Sequence, residues 1–302
     1  MGATQPRVGG RLTVPVYTLL LLAVAAVWGW TFVVVQDAIA AYGVVSFLAV
    51  RFALAVLVMA PFVARRMTKA TALTGGAIGV LLAAAYLLQT FGLRTTTPTN
   101  SGLITGLFVI PALVWNRVLF GVRLSPRLWL MALVSLVGLV LLVRPPSAAP
   151  NTGDLLTLGC AVCFGAQIAL LDRYAPRHHA GALALAQLAA AALVFVALWP
   201  RVEPVALPPA VVWPAIVLTA AVATALGFTM QTAAQRRLPA VRVALVLSME
   251  PVFAALFGYW LAGDRLRPLQ LAGAALMVAA LLAATVWHVQ EEQAGPTEAA
   301  AS

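Results

Sequence analysis

The chain has 302 residues, of which 63% are hydrophobic and 9% charged, and its formal net charge is +10. A water-soluble domain needs about 25% charged residues to cover its surface, so this composition excludes a soluble globular fold and makes lipid the medium most of the surface faces. The 18 Arg and one Lys form no basic tract; nucleic acid is thereby excluded as a partner, and the charge reads as the loop charge that orients a membrane protein.

A bilayer core needs about 20 apolar residues per helix, and the chain divides into such runs from end to end. Residues 1–15 form a basic tail with Arg7 and Arg11, followed by an apolar run from Val16 to Val35. That run is too long for a signal peptide and is expected to remain as the first helix. Further runs lie at about 44–64, 72–92, 101–121, 127–143, 154–171, 181–199, 211–233, 241–262 and 268–288. Breakers and charges separate them: Arg65-Arg66, Pro98, Ser125-Pro126, Pro145-Pro146, Pro176, Pro204, Pro208-Pro209 and Pro268. The acidic tail from 289 to 302, with Glu291, Glu292 and Glu298, is expected to be unstructured.

Ten spans with the N-terminus inside place 13 Arg or Lys in inward segments and 5 in outward loops, with Arg51 inside a span. This bias puts both termini on the cytoplasmic side. It also brings Arg65, Arg66 and Lys69 to anionic lipid headgroups.

Along the runs, short matches recur in order. Trp28-Gly29 matches Phe164-Gly165 and Arg51-Phe52 matches Gln187-Leu188 at an offset of 136; Gln89-Thr90 matches Gln231-Thr232 at 142, and Pro111 matches Pro251 at 140. The economical explanation is a duplicated five-helix unit, 16–143 and 154–288, joined by a linker at 144–153. Five is odd, so the second copy crosses the membrane in the opposite sense. The predicted fold is therefore an all-α integral membrane protein of ten transmembrane helices in two inverted five-helix repeats, the architecture that supports alternating access.

The stretch LVLSMEPVFAALFGYWLAGDRL, residues 245–266, sets Glu250 directly before Pro251 inside an apolar run. A carboxylate in hydrocarbon is costly and a proline removes a backbone donor and bends the helix, so together they mark a site rather than an anchor. With Trp28-Gly29, Arg51-Phe52 and the two five-span copies, this stretch resembles the EamA family of the drug/metabolite transporter superfamily, over roughly residues 16–288. The family's usual acid at the end of that motif is Asp264 here, and Val122 in the first copy. The resemblance implies an inner-membrane carrier that exports small metabolites, amino acids among them, through a central cavity.

Arg51 lies about seven residues, or ~10 Å, below the outer end of its helix, and Glu250 about nine residues, or ~14 Å, above the inner end of its own. Both are near mid-depth in a core ~30 Å thick. They are candidates to bind the charged parts of a zwitterionic or anionic solute, with Glu250 also a candidate proton carrier. The structural alternatives are a permanent ion pair, or Glu250 capping backbone freed by Pro251 while Arg51 reaches the headgroups. Gln89, Gln187 and Gln231 are candidate polar contacts or gates, and equally candidates for interhelical hydrogen bonds. Trp28, Tyr86, Trp115, Tyr259 and Trp260 are candidate aromatic walls, Trp28 and Tyr86 before the others because both lie well inside their runs.

Gly75, Gly79 and Ala83, with Gly102 and Gly106, have the four-residue spacing of close helix packing. Cys160 and Cys163 read as packing residues, and His178, His179 and His288 carry no site. No cofactor or metal is implied. Lys69 lacks a phosphate-binding loop, which disfavours an ATP-driven pump. Two other classes, a membrane-embedded enzyme acting on lipid and a membrane sensor or scaffold, lack the gathered ligand sets or appended domain they require.

Overall fold

The computed structural model describes residues 13–122, 126–142, 151–261 and 267–298. Helices dominate it: α1 Thr13–Tyr42, α2 Val44–Val63, α3 Lys69–Gly92, α4 Pro98–Gly106, α5 Val109–Phe120, α6 Pro126–Leu142 and α7 Thr152–Tyr174. They continue as α8 Ala180–Val202, α9 Trp213–Leu218, α10 Gly227–Gln235, α11 Ala240–Leu247, α12 Glu250–Leu261 and α13 Pro268–Glu298. Eight segments among the described residues are long and apolar enough to cross a membrane, and two shorter apolar helices lie at Trp129–Leu141 and Pro268–Ala283. The helical backbone of α13 runs into the acidic segment expected to be unstructured, Glu and Ala being good helix formers.

Each apolar run became helix, but two are broken in the same way. A proline cannot donate to the carbonyl four residues earlier and its ring crowds that carbonyl. Pro111 acts on Leu107 and Pro251 on Leu247, and the helices part at Leu107–Phe108 and Ser248–Met249. The chain crosses each break on tightened turns, with Leu107 N donating to Ile104 O at 3.1 Å and Met249 N to Val246 O at 3.1 Å. Between α9 and α10, Thr219–Leu226 is a π-helix.

Small residues let these elements approach. A Cβ on Gly29 of α1 would stand 2.7 Å from Glu250 O and 2.8 Å from Ala254 N of α12. One on Gly165 of α7 would stand 2.5 Å from Pro111 Cβ and 2.7 Å from Ala112 N of α5. Gly75 and Gly79 of α3 lie against Ala186, Gln187 and Ala190 of α8, as their spacing predicts.

The two ends of the bundle are closed by caps. At one end, called here the first end, Gly43 turns the chain at φ +98° between α1 and α2. Glu203, following α8, accepts from Val44 N at 2.9 Å, Val45 N at 3.2 Å and Ser46 N at 2.9 Å, and from Ser46 Oγ at 2.6 Å. Asn151 and Asp154 form a capping box at the start of α7. At the opposite end Thr68 caps α3 and His179 caps α8, while Thr71 Oγ1 and His178 Nδ1 are 3.0 Å apart. Burial, and then Arg177, hold the His178 imidazole below its ordinary value.

Candidate functional site

The breaks and the polar residues converge on one central cavity, with the π-helix behind Trp28 and Arg51. Its lining comes from α1 (Trp28, Thr31, Phe32, Val35), α2 (Arg51), α3 (Tyr86, Gln89, Thr90) and Leu93, and from Thr105 and Phe108 around the first break. From the second half come Phe164, Gln167 and Ile168 of α7, Gln231 of α10, Leu247 of α11 and Glu250 of α12.

Arg51 is 3% exposed, so its guanidinium stays inside the bundle and does not reach headgroups. Its Nε donates to Thr224 Oγ1 at 2.8 Å within the π-helix, and its Cζ lies 5.2 Å from the centre of the Tyr86 ring, close enough for cation–π attraction. Tyr86 is in turn set edge-on to Phe52 at 4.9 Å and to Phe164 at 5.6 Å. The cation is thus oriented by a hydroxyl and an aromatic face, with no carboxylate within 4 Å among the described residues.

Glu250 is the first residue of α12 and is 5% exposed. The break leaves it at a helix N-terminus, where the unsatisfied N–H groups and the helix dipole favour an anion. Among the described residues no donor reaches its carboxylate, so it caps no freed backbone. Arg51 and Glu250 therefore share the cavity without forming the permanent ion pair or the local cap that a structural role requires.

Trp28 forms part of the wall. Its indole Nε1 donates to Ala223 O at 2.8 Å, a carbonyl within the π-helix, and its ring packs on Phe228 at 5.2 Å. A π-helix is uncommon and concentrates at functional sites; here it provides one partner for Trp28 and one for Arg51.

The glutamines differ. Gln89 lines the cavity and donates to Thr105 Oγ1 at 3.0 Å. Gln231 also lines it and donates to Gln167 Oε1 at 3.1 Å. Gln187 lies one layer behind: it accepts from Gln167 Nε2 at 3.2 Å, donates to Thr232 Oγ1 at 3.5 Å, and is not part of the wall. Gln231, Gln167 and Gln187 form a buried hydrogen-bonded chain; Gln235 stands apart from it, its Nε2 donating to Ile168 O at 2.7 Å.

Thr31, Thr105, Gln167 and Thr224 were not anticipated from the sequence. The offset of 136 that relates Trp28 to Phe164 also relates Thr31 to Gln167, and extending the repeat to that pair would have found both. Tyr259 and Trp260 are 51% and 65% exposed and form no wall. Cys160 is a buried free thiol and Cys163 a partly exposed one. The Gly263-Asp264-Arg265-Leu266 motif lies outside the described residues.

Comparison with known proteins bears on this arrangement. The EamA-like transporter family model matches the chain twice, over residues 16–144 and 151–286. An uncharacterized transporter of Archaeoglobus fulgidus is 31% identical over 268 residues, 87% of this chain and 83% of that one. The threonine/homoserine exporter RhtA of Escherichia coli strain K12 is 30% identical over 156 residues, about half of either chain at 52% each. A protein of known crystal structure shares the fold at a TM-score of 0.76 and 21% identity, covering 92% of this chain and 99% of its own. With the family model matched across both halves and a transporter related along most of its length, this chain belongs to the EamA-like transporter family.

Proposed function

We propose that this chain is a ten-span carrier of the inner membrane that exports small metabolites by alternating access between two inverted five-helix copies. Support for the duplication comes from one family match in each half and from the paired contacts of Gly29 on α12 and Gly165 on α5. Support for ten spans comes from α6, whose 17 residues reach ~26 Å at 1.5 Å per residue, near the ~30 Å of a hydrocarbon core. The end that carries Arg65, Arg66, Lys69, Arg173, Arg177, Arg236 and Arg237 is the cytoplasmic one, with both termini, by the excess of positive charge. The first end then faces outward.

The observation that carries the reading is the presence of Arg51 and Glu250 in one cavity with neither paired to the other. Such a pair suits a zwitterion. Arg51 takes a carboxylate through its guanidinium and Glu250 takes an ammonium, while Trp28 and Tyr86 bound the uncharged part. Amino acids have this chemistry, and the RhtA relative is named for two of them. Gln89 and Gln231 orient polar groups of the solute from the two mouths, with Gln187 supporting Gln231 through Gln167. Protons are a candidate second cargo, with Glu250 as carrier.

Purified protein in liposomes loaded with labelled amino acids tests this. Wild-type protein is expected to give solute efflux, and Arg51→Ala and Glu250→Gln are each expected to lower the rate about ten-fold or more, the worth of a charge-assisted hydrogen bond. Retained flux in Arg51→Ala, or unchanged flux and pH dependence in Glu250→Gln, would remove that residue from the mechanism.

A further inference from the structure

Leu93 stands where two hollows meet. It lines the central cavity beside Thr90 and Val35. Among the described residues it alone also lines a vestibule at the first end, formed with Gln36, Tyr42, Ser46, Arg94 and Glu203. Being 2% exposed, it is packed as a partition between the two.

The turn that carries it, between α3 and α4, is held from two sides. Toward α7 the fit is rigid: Asn151 Nδ2 donates to Thr95 O at 2.9 Å, Thr96 Oγ1 donates to Asp154 Oδ1 at 2.5 Å, and a Cβ on Gly153 would stand 2.5 Å from Gly92 O. Toward α1 the hold is looser. Gln36 Nε2 donates to Leu93 O at 3.3 Å and to Thr96 O at 3.4 Å. These are long for such bonds, whose usual length is about 2.9–3.0 Å.

At the opposite end the repeat mate of Gln36 is a carboxylate. The offset of 136 relates Gln36 to Asp172, and the offset of 142 carries the turn after α3 onto the turn after α10. There Asp172 accepts from Ala240 N at 3.0 Å and from Asn116 Nδ2 at 3.1 Å. Hydrogen bonds to a carboxylate are about twice as strong as neutral ones. The tie from α1 to the turn after α3 is therefore weaker than the tie from α7 to the start of α11, although the first end is held elsewhere by Glu203 and Asp154.

We infer that Leu93 is the outer gate of the pathway and Gln36 its positioning residue, with Asp172 the matching tie at the opposite end. This rests on the inverted-repeat carrier reading above. When α1 draws Gln36 away, the turn stays with α7, Leu93 swings off the cavity, and a solute held at Arg51 and Glu250 passes into the vestibule.

The test places a cysteine below the partition (Thr90→Cys) in a chain whose Cys160 and Cys163 are replaced by alanine. An impermeant methanethiosulfonate reagent is applied to each face of proteoliposomes. Gln36→Leu, which keeps the bulk and loses the donor, is expected to raise labelling from the first-end face about five-fold, the shift supported by losing two long neutral hydrogen bonds together worth about one ordinary one. The opposite face should be unaffected. Leu93→Ala removes the partition and leaves the tie, and should raise labelling from the same face. Asp172→Asn should raise it from the other. Unchanged labelling in Gln36→Leu and Leu93→Ala, or an equal rise from both faces, overturns the gate. If those two respond as expected and Asp172→Asn changes neither face, the gate stands and the inverted pairing falls.

Discussion

At the scale of single residues, the glycines at the helix crossings are as constrained as the charges in the cavity. Gly29 has backbone on its far side, Glu250 O and Ala254 N, and neither atom can move aside as a flexible side chain would. Gly29→Ala is expected to destabilise the protein by about 1–3 kcal/mol through overpacking, read as a lower melting temperature in detergent. Gly76→Ala, where nothing lies within 4 Å, is the control and should leave it unchanged or slightly raised, Ala being the better helix former. Arg51 and Glu250 were legible in the sequence because a charge inside an apolar run is costly and has few explanations. Thr31, Gln167 and Thr224 were not: a neutral polar side chain inside a helix can bond its own backbone, and only the repeat offset sets Thr31 and Gln167 apart from such cases. Gln187 shows the converse. It has the repeat position of Arg51, yet it supports the wall from behind, because Gln167 occupies the place in front of it.

At the scale of elements, two prolines set the architecture of the cavity. Pro251 parts α11 from α12 and leaves Glu250 at a fresh helix N-terminus; Pro111 parts α4 from α5 and leaves Ile110 at the equivalent place. One copy thus brings a carboxylate into the cavity wall, whereas in the other Ile110 lies outside that wall, which Thr105 and Phe108 line. Pro251→Ala restores the donor and allows α11 and α12 to join, so it is expected to raise thermal stability and lower transport together, measured by melting and flux on the same preparation. The expected bend was readable from Pro251 itself. The π-helix at Thr219–Leu226 was not, since it depends on partners from α1 and α2: Trp28 on the carbonyl of Ala223 and Arg51 on the hydroxyl of Thr224. Helix limits were readable to within a few residues where a cap residue stands, as at Thr68 and Asn151.

At the scale of the whole molecule, the caps at the two ends respond differently to pH. Burial works to raise the Glu203 carboxyl, but the Ser46 hydroxyl and the N–H groups of Ser46, Val45 and Val44 outweigh it and hold the group below its usual 4.5. A carboxyl lowered on folding adds stability that is present above its ordinary range and lost as pH falls through the folded value. Stability is therefore expected to decline on acidification below about pH 4.5, and to decline less steeply in Glu203→Gln, as followed by melting temperature against pH. Composition and periodicity were sufficient for the membrane class and the helix runs. They could not provide the pairing between halves, which depends on distant contacts with no local trace in the chain.

Those contacts interleave the halves. α1 packs on α12, α3 on α7 and α8, α5 on α7, and α6 on α13, so most apolar faces of one half are completed by the other. Covalent continuity across 143–150 then contributes little beyond keeping the partners at high local concentration. Two fragments severed in that stretch should each be degraded when synthesised alone and should reassemble into a working carrier when made in the same cell.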